Sequence, residues 1–92
     1  MDIADAAPLL AIAAQEREFH GLLTRASRIE RLNAPVRAAT QALISELEWL
    51  LVANGEGPRC ALAALHWALQ RTAPRAVLST GYCGALDPGL EP

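Results

Sequence analysis

Two glutamates directly follow a continuous apolar segment near the start of the chain. The segment covers residues 9–14, and Glu16 and Glu18 come just after it. A carboxylate at the end of a buried strand is partly withdrawn from water, which disfavours its charged form and suits a general acid or a water-activating base. Glu18 is therefore the candidate catalytic residue. The alternative is an ordinary acidic residue in a first helical turn, where the helix dipole favours it.

A glycine-rich turn follows a second apolar segment, residues 49–53, and precedes Pro58. A helix that starts after such a turn offers free backbone N–H groups and a positive dipole end, which suit an anion or the polar edge of a ligand. It is not a dinucleotide-binding fingerprint, because Cys60 occupies the position of the third glycine. In the alternative, the glycines only shape the turn and the arginine is solvated. The candidate anion- or ligand-binding residues of this turn are Asn54, Gly55, Gly57 and Arg59.

A third apolar segment, residues 76–79, ends in a Gly-x-x-Gly turn. Glycines have no Cβ atom, so a ligand can approach their backbone closely. Tight packing between a strand and a helix is the alternative role for the two glycines. The candidate substrate-binding residues here are Gly81, Tyr82, Cys83 and Gly84.

The elements that position these residues alternate between strands and helices. The first two apolar segments predict buried strands and the third predicts another strand, and Pro58 suits the first turn of a helix that ends near Thr72. Residues 26–35 predict a loop or a weak strand, and residues 36–48 predict a helix from propensity alone. This order predicts an α/β fold with a largely parallel sheet. Ligands of such sheets bind beyond the carboxyl ends of the strands.

Composition excludes several classes of function. A net charge of -2 with a pI near 5.6 makes nucleic acid an unexpected partner. The chain has no Lys, which excludes a Schiff-base or P-loop lysine. Cys60 and Cys83 lie far apart with no CxxC spacing and no His at ligand distance, so we expect neither a zinc site nor a disulfide framework, no cofactor and a cytoplasmic location. No apolar segment reaches the roughly 18 residues of a membrane span.

Three segments together resemble the nucleoside phosphorylase and nucleosidase superfamily, which cleaves the glycosidic bond of nucleosides. They are residues 13–19, 51–61 and 79–86. The resemblance implies a three-layer phosphorylase-like fold, with residues 1–92 as the N-terminal part of the domain, and a homo-oligomer that takes a small-molecule nucleoside. It gives Glu18 the role of positioning and activating the attacking water. It also implies that the turn at residues 81–84 lies beside the purine base and the ribose.

Departures from the family pattern narrow the expected reaction. Hexameric phosphorylases hold phosphate with an Arg and a Ser in the third motif, whereas the matching positions here are Ser79 and Tyr82. Water is thus favoured as the nucleophile, which implies hydrolysis of methylthioadenosine, adenosylhomocysteine or an adenosyl-hopanoid. A phosphorylase in which Arg59 supplies the charge, and a non-catalytic α/β module that self-associates, are the alternatives. The family's ribose- and base-contacting carboxylates lie beyond Pro92, so we expect these residues alone to bind nucleosides weakly without catalysis.

Overall fold

Five strands form one mixed sheet in the computed structural model, which describes residues 7–79. The strands are β1 (Leu9–Ala13), β2 (Ala26–Arg31), β3 (Ala38–Ile44), β4 (Leu47–Ala53) and β5 (Ala76–Ser79). Their order across the sheet is β2-β3-β4-β1-β5. A 3-10 turn, Glu16–Phe19, leads directly into the short helix α1 (His20–Leu23), and helix α2 spans Pro58–Arg71. The predicted α/β class is confirmed.

The strands predicted from apolar segments form the parallel part of the sheet. β1 pairs in parallel with β4 on one side and with β5 on the other. In contrast, β3 is antiparallel to both β2 and β4. The prediction of a largely parallel sheet is therefore corrected: β1, β2, β4 and β5 point one way and β3 points the other, so that half of the strand pairs are antiparallel.

Residues 36–48 form most of a β-hairpin, so the helix predicted for them is wrong. Ile44 of β3 pairs with Leu47 of β4, which leaves a turn of only two residues. These residues, Ser45 and Glu46, have φ angles of 50° and 66°. Two successive positive φ angles are typical of the tight turns whose twist matches that of a hairpin. Because β3 is hydrogen-bonded on both sides, tertiary pairing outweighs the helix propensity of its alanines and leucine.

Helix α2 covers one face of the sheet, which we call the α2 face. It begins at Pro58 in the first helical turn, as predicted, and small side chains let it lie close to the strands. The helical spacing of the apolar residues predicts a buried stripe of Ala61, Leu62, Leu65, Ala68 and Leu69, but Leu62 and Leu69 are 63% and 51% exposed. The buried residues of this layer are Leu10, Ile12, Ala14, Leu50, Val52, Ala61, Ala64 and Ala68.

The opposite face is covered by the 3-10 turn and α1, and we call it the α1 face. Phe19, only 2% exposed, packs there on alanines of β1 and β4. The two half-buried tryptophans, Trp49 and Trp67, pack against the edges of the two buried clusters. None of the helices among residues 7–79 is long and apolar enough to cross a bilayer.

Candidate functional site

The carboxyl ends of β1, β4 and β5 lie side by side at one edge of the sheet, which we call the carboxyl edge. Ala13 is in register with Ala53, and Ile12 with Ser79. The alignment continues past the strands, because the Gly55 N–H donates to the Ala14 carbonyl at 2.8 Å. The acidic turn after β1 and the glycine-rich turn after β4 therefore leave the sheet next to each other, as the sequence predicted.

Asn54 ties the glycine-rich turn to two other elements. Its Oδ1 accepts a hydrogen bond from the backbone N–H of Arg37, just before β3, at 3.3 Å. Its Nδ2 donates to the backbone carbonyl of Cys60, in the first turn of α2, at 3.0 Å. The oxygen and the nitrogen of the side-chain amide are thus both bonded to the backbone of other segments. Asn54 fixes the shape of the turn that a ligand would meet.

Both glycines of the turn have positive φ angles, 98° at Gly55 and 96° at Gly57. Gly55 is buried, and a Cβ atom on it would lie 3.4 Å from Cζ of Arg37 and 3.5 Å from Sγ of Cys60. Gly57 has open space around its Cα and serves as the residue before the first turn of α2. The positive φ at Gly55 favours glycine, whereas an added Cβ would contact its neighbours at about van der Waals distance.

Arg37 belongs to this site, although sequence reasoning missed it. Its guanidinium group packs over Gly55, and its side chain is exposed. Arg59, the predicted cation, is exposed in the first turn of α2. Nothing in the sequence around Arg37 resembles a motif, because its proximity to the turn depends on the pairing of β3 with β4. The edge therefore carries a second guanidinium group beside the glycine-rich turn.

Glu18 lies in the 3-10 turn and helps to form it. The Gln15 N–H donates to Oε2 of Glu18 at 2.9 Å, and the Glu18 N–H donates to the Gln15 carbonyl at 3.0 Å. The Glu18 side chain is exposed, so the expectation that it is withdrawn from water is wrong. The turn packs Phe19 onto the α1 face of the sheet, whereas its Glu18 side chain points to solvent. Its carboxylate is held in place at one oxygen, and lone pairs remain for a second partner.

The third predicted motif falls outside the described residues. Gly81, Tyr82, Cys83 and Gly84 all follow Ser79, the last described residue of β5. Within residues 7–79, Cys60 is a half-buried free thiol, and no group of three or more His, Cys, Asp or Glu side chains is arranged to hold a metal ion.

Comparisons with known proteins add no family assignment. No family model matches the chain. No curated protein matches it with a significant score. The functional argument therefore rests on the residues and the geometry of the carboxyl edge.

Proposed function

We propose that this chain is the N-terminal part of a nucleoside-cleaving enzyme that hydrolyses the N-glycosidic bond of a purine nucleoside in the cytoplasm. The observation that carries the proposal is the parallel register of β1 and β4, which brings the acidic turn and the glycine-rich turn to one edge of the sheet. Both turns come from segments that resemble the nucleosidase superfamily. β5 ends at the same edge beside β1, and its last residue, Ser79, begins the third such segment.

In the proposed reaction, Glu18 orients a water molecule toward C1′ of the ribose. Glycosidic cleavage builds positive charge on the sugar, so a fixed carboxylate stabilises the transition state more than the ground state. The hydrogen bond from the Gln15 N–H holds one oxygen of Glu18 in position. The carboxylate is exposed, so water and a ligand can reach its second oxygen. Asn54 holds the neighbouring turn through bonds on both sides.

Equilibrium binding of two nucleoside analogues to the full chain tests the role of Glu18. One ligand is methylthioadenosine, which is neutral at the sugar, and the other is an analogue with a cationic ring nitrogen in place of the ring oxygen. We expect Glu18→Gln to weaken binding of the cationic analogue about tenfold and to change binding of the neutral nucleoside much less. Glutamine keeps an oxygen for the Gln15 N–H, so the variant removes charge without removing the turn.

Glu46→Gln is the matched control, because Glu46 is an exposed glutamate in the β3–β4 turn at the opposite end of β4. It should leave both affinities unchanged. If Glu18→Gln lost affinity equally for the two ligands, the assignment would be contradicted. The same would follow if Glu46→Gln weakened binding of the cationic analogue as much as Glu18→Gln. Release of adenine by the purified chain would show instead that residues 1–92 are already catalytic.

Exposed apolar side chains around β5 favour the second candidate, a module that self-associates. β5 pairs only with β1 among the described strands, and Val77 and Leu78 are each 48% exposed. An apolar cleft of about 190 Å³ lies between β5 and α2, lined in part by Ile12, Leu62 and Leu65. Unpaired strand edges with apolar side chains are typical sites of association.

Sedimentation velocity separates the two candidates. A discrete oligomer supports the nucleoside-cleaving enzyme, whereas a polydisperse aggregate supports the self-associating module. Val77→Lys should reduce association, because it places a charge on the β5 edge. Ile29→Lys is the control, since Ile29 is 50% exposed on β2 at the other edge of the sheet. Equal effects of both variants would show that association does not use the β5 edge.

A further inference from the structure

A cleft with a volume of about 240 Å³ lies on the α1 face, next to the carboxyl edge. Its lining residues are Glu16, Arg17, His20, Leu23 and Arg31. One wall comes from the 3-10 turn and α1, and the other comes from Arg31 at the end of β2. Arg31 is in register with Thr40 of β3, and Thr40 with Leu51 of β4, which places Arg31 on the α1 face.

Cationic side chains predominate in this cleft. Arg17 and Arg31 are both exposed, and the single lining carboxylate, Glu16, lies 2.7 Å from the guanidinium of Arg31. That ion-pair contact joins Oε2 of Glu16 to Nη1 of Arg31, and the guanidinium group has five N–H donors in all. The remaining donors of Arg31, together with Arg17, leave the cleft with an excess of positive charge.

We propose that this cleft binds the oxyanion group of a small ligand, a phosphate or a carboxylate, through Arg31 and Arg17. Planar guanidinium groups form bidentate hydrogen bonds with both kinds of oxyanion. The cleft is smaller than the roughly 300 Å³ at which pockets for drug-sized ligands begin, which restricts it to a compact group. Glu16 orients Arg31 and competes with the oxyanion for it. The proposal does not depend on nucleoside cleavage, because neither Arg31 nor Arg17 has a role in that reaction, although Arg17 shares the 3-10 turn with Glu18.

The test follows the arginine side chains and backbone amides of the labelled full chain by NMR during titration with sodium phosphate and, separately, sodium succinate. Sodium chloride keeps the ionic strength constant. We expect saturable shifts at Arg31, Arg17 and His20. Arg31→Gln should weaken binding about tenfold, because it removes charge-assisted hydrogen bonds. Glu16→Gln should strengthen binding several-fold by releasing Arg31. Tighter binding of phosphate than of succinate identifies a phosphate-bearing ligand, and the reverse order identifies a carboxylate.

Arg28→Gln is the matched control. Arg28 lies on the same strand as Arg31 and also forms an ion pair, with Glu48, but its register partner Leu43 places it on the α2 face. The control should leave the affinity unchanged. Chemical shifts that grow without saturation would overturn the proposal. An equal loss of affinity in Arg28→Gln and Arg31→Gln would do the same. If Arg31→Gln fails to fold, as judged by amide dispersion, Arg17→Gln gives the same comparison from the other wall of the cleft.

Discussion

The side-chain amide of Asn54 donates a hydrogen bond to the backbone carbonyl of Cys60 over 3.0 Å, and this bond joins the end of β4 to the first turn of α2. The same side chain accepts a hydrogen bond from the backbone N–H of Arg37. A single residue thus connects a strand, a helix and the segment that leads into β3. The position of the glycine-rich turn depends on these bonds.

Replacing Asn54 with Ala should destabilise the fold. The change leaves the Arg37 N–H and the Cys60 carbonyl without their side-chain partner, and each lost bond costs about 0.5–1.5 kcal/mol. Urea unfolding followed by tryptophan fluorescence measures the difference. Asn33→Ala, at an exposed position, is the control and should be close to neutral. Equal stability of the two variants would contradict the connecting role of Asn54.

Alanine substitutions at three glycines should change the stability of the fold by different amounts. Gly55→Ala should be clearly harmful, because Gly55 is buried and has a φ of 98°. Gly57→Ala meets open space, but the φ of 96° and ψ of 157° at this position are essentially restricted to glycine, so it should cost about 1–3 kcal/mol from backbone strain alone. Gly21→Ala, inside α1 with nothing within 4 Å, should be neutral or slightly stabilising. Thermal unfolding measures these differences, and a harmless Gly55→Ala would contradict the prediction.

A glycine at position 46 should stabilise the β3–β4 turn. Glu46 has a φ of 66°, a left-handed conformation that costs a side-chain-bearing residue roughly 1 kcal/mol. Glu46→Gly should therefore raise the free energy of unfolding by about that amount. Glu56→Gly provides the comparison, because Glu56 is exposed without a positive φ. A loss of stability in Glu46→Gly would indicate that the hairpin does not use this tight turn.

Two leucine truncations should separate the core from the surface of α2. Leu50 is 2% exposed in β4, so Leu50→Ala should lower the free energy of unfolding by about 2–5 kcal/mol. Leu69 is 51% exposed on α2, and Leu69→Ala should change it by less than about 0.5 kcal/mol. Both are measured by urea unfolding. A large effect at Leu69 would show that this side of α2 is covered in solution.

Local sequence pattern predicted the parallel centre of the fold well. The apolar segments near residues 9–14, 49–53 and 76–79 became β1, β4 and β5, and Pro58 marked the start of α2. The meeting of the acidic and glycine-rich turns followed from the rule that parallel strands end at one edge. These features could be predicted because each depends on a short segment whose burial and end signals are visible in its own residues.

The sequence by itself therefore determined the α/β class, the central parallel strands and one helix, whereas only the tertiary structure decided the reversed strand β3, the position of Arg37 and the exposure of Glu18. The hairpin turn at Ser45 and Glu46 lacks the glycine or asparagine that would predict it from sequence, and β3 is rich in residues that also favour helices. The physical reason is that pairing on both sides of β3 supplies more stabilisation than local propensity, and such pairing joins residues distant in the chain.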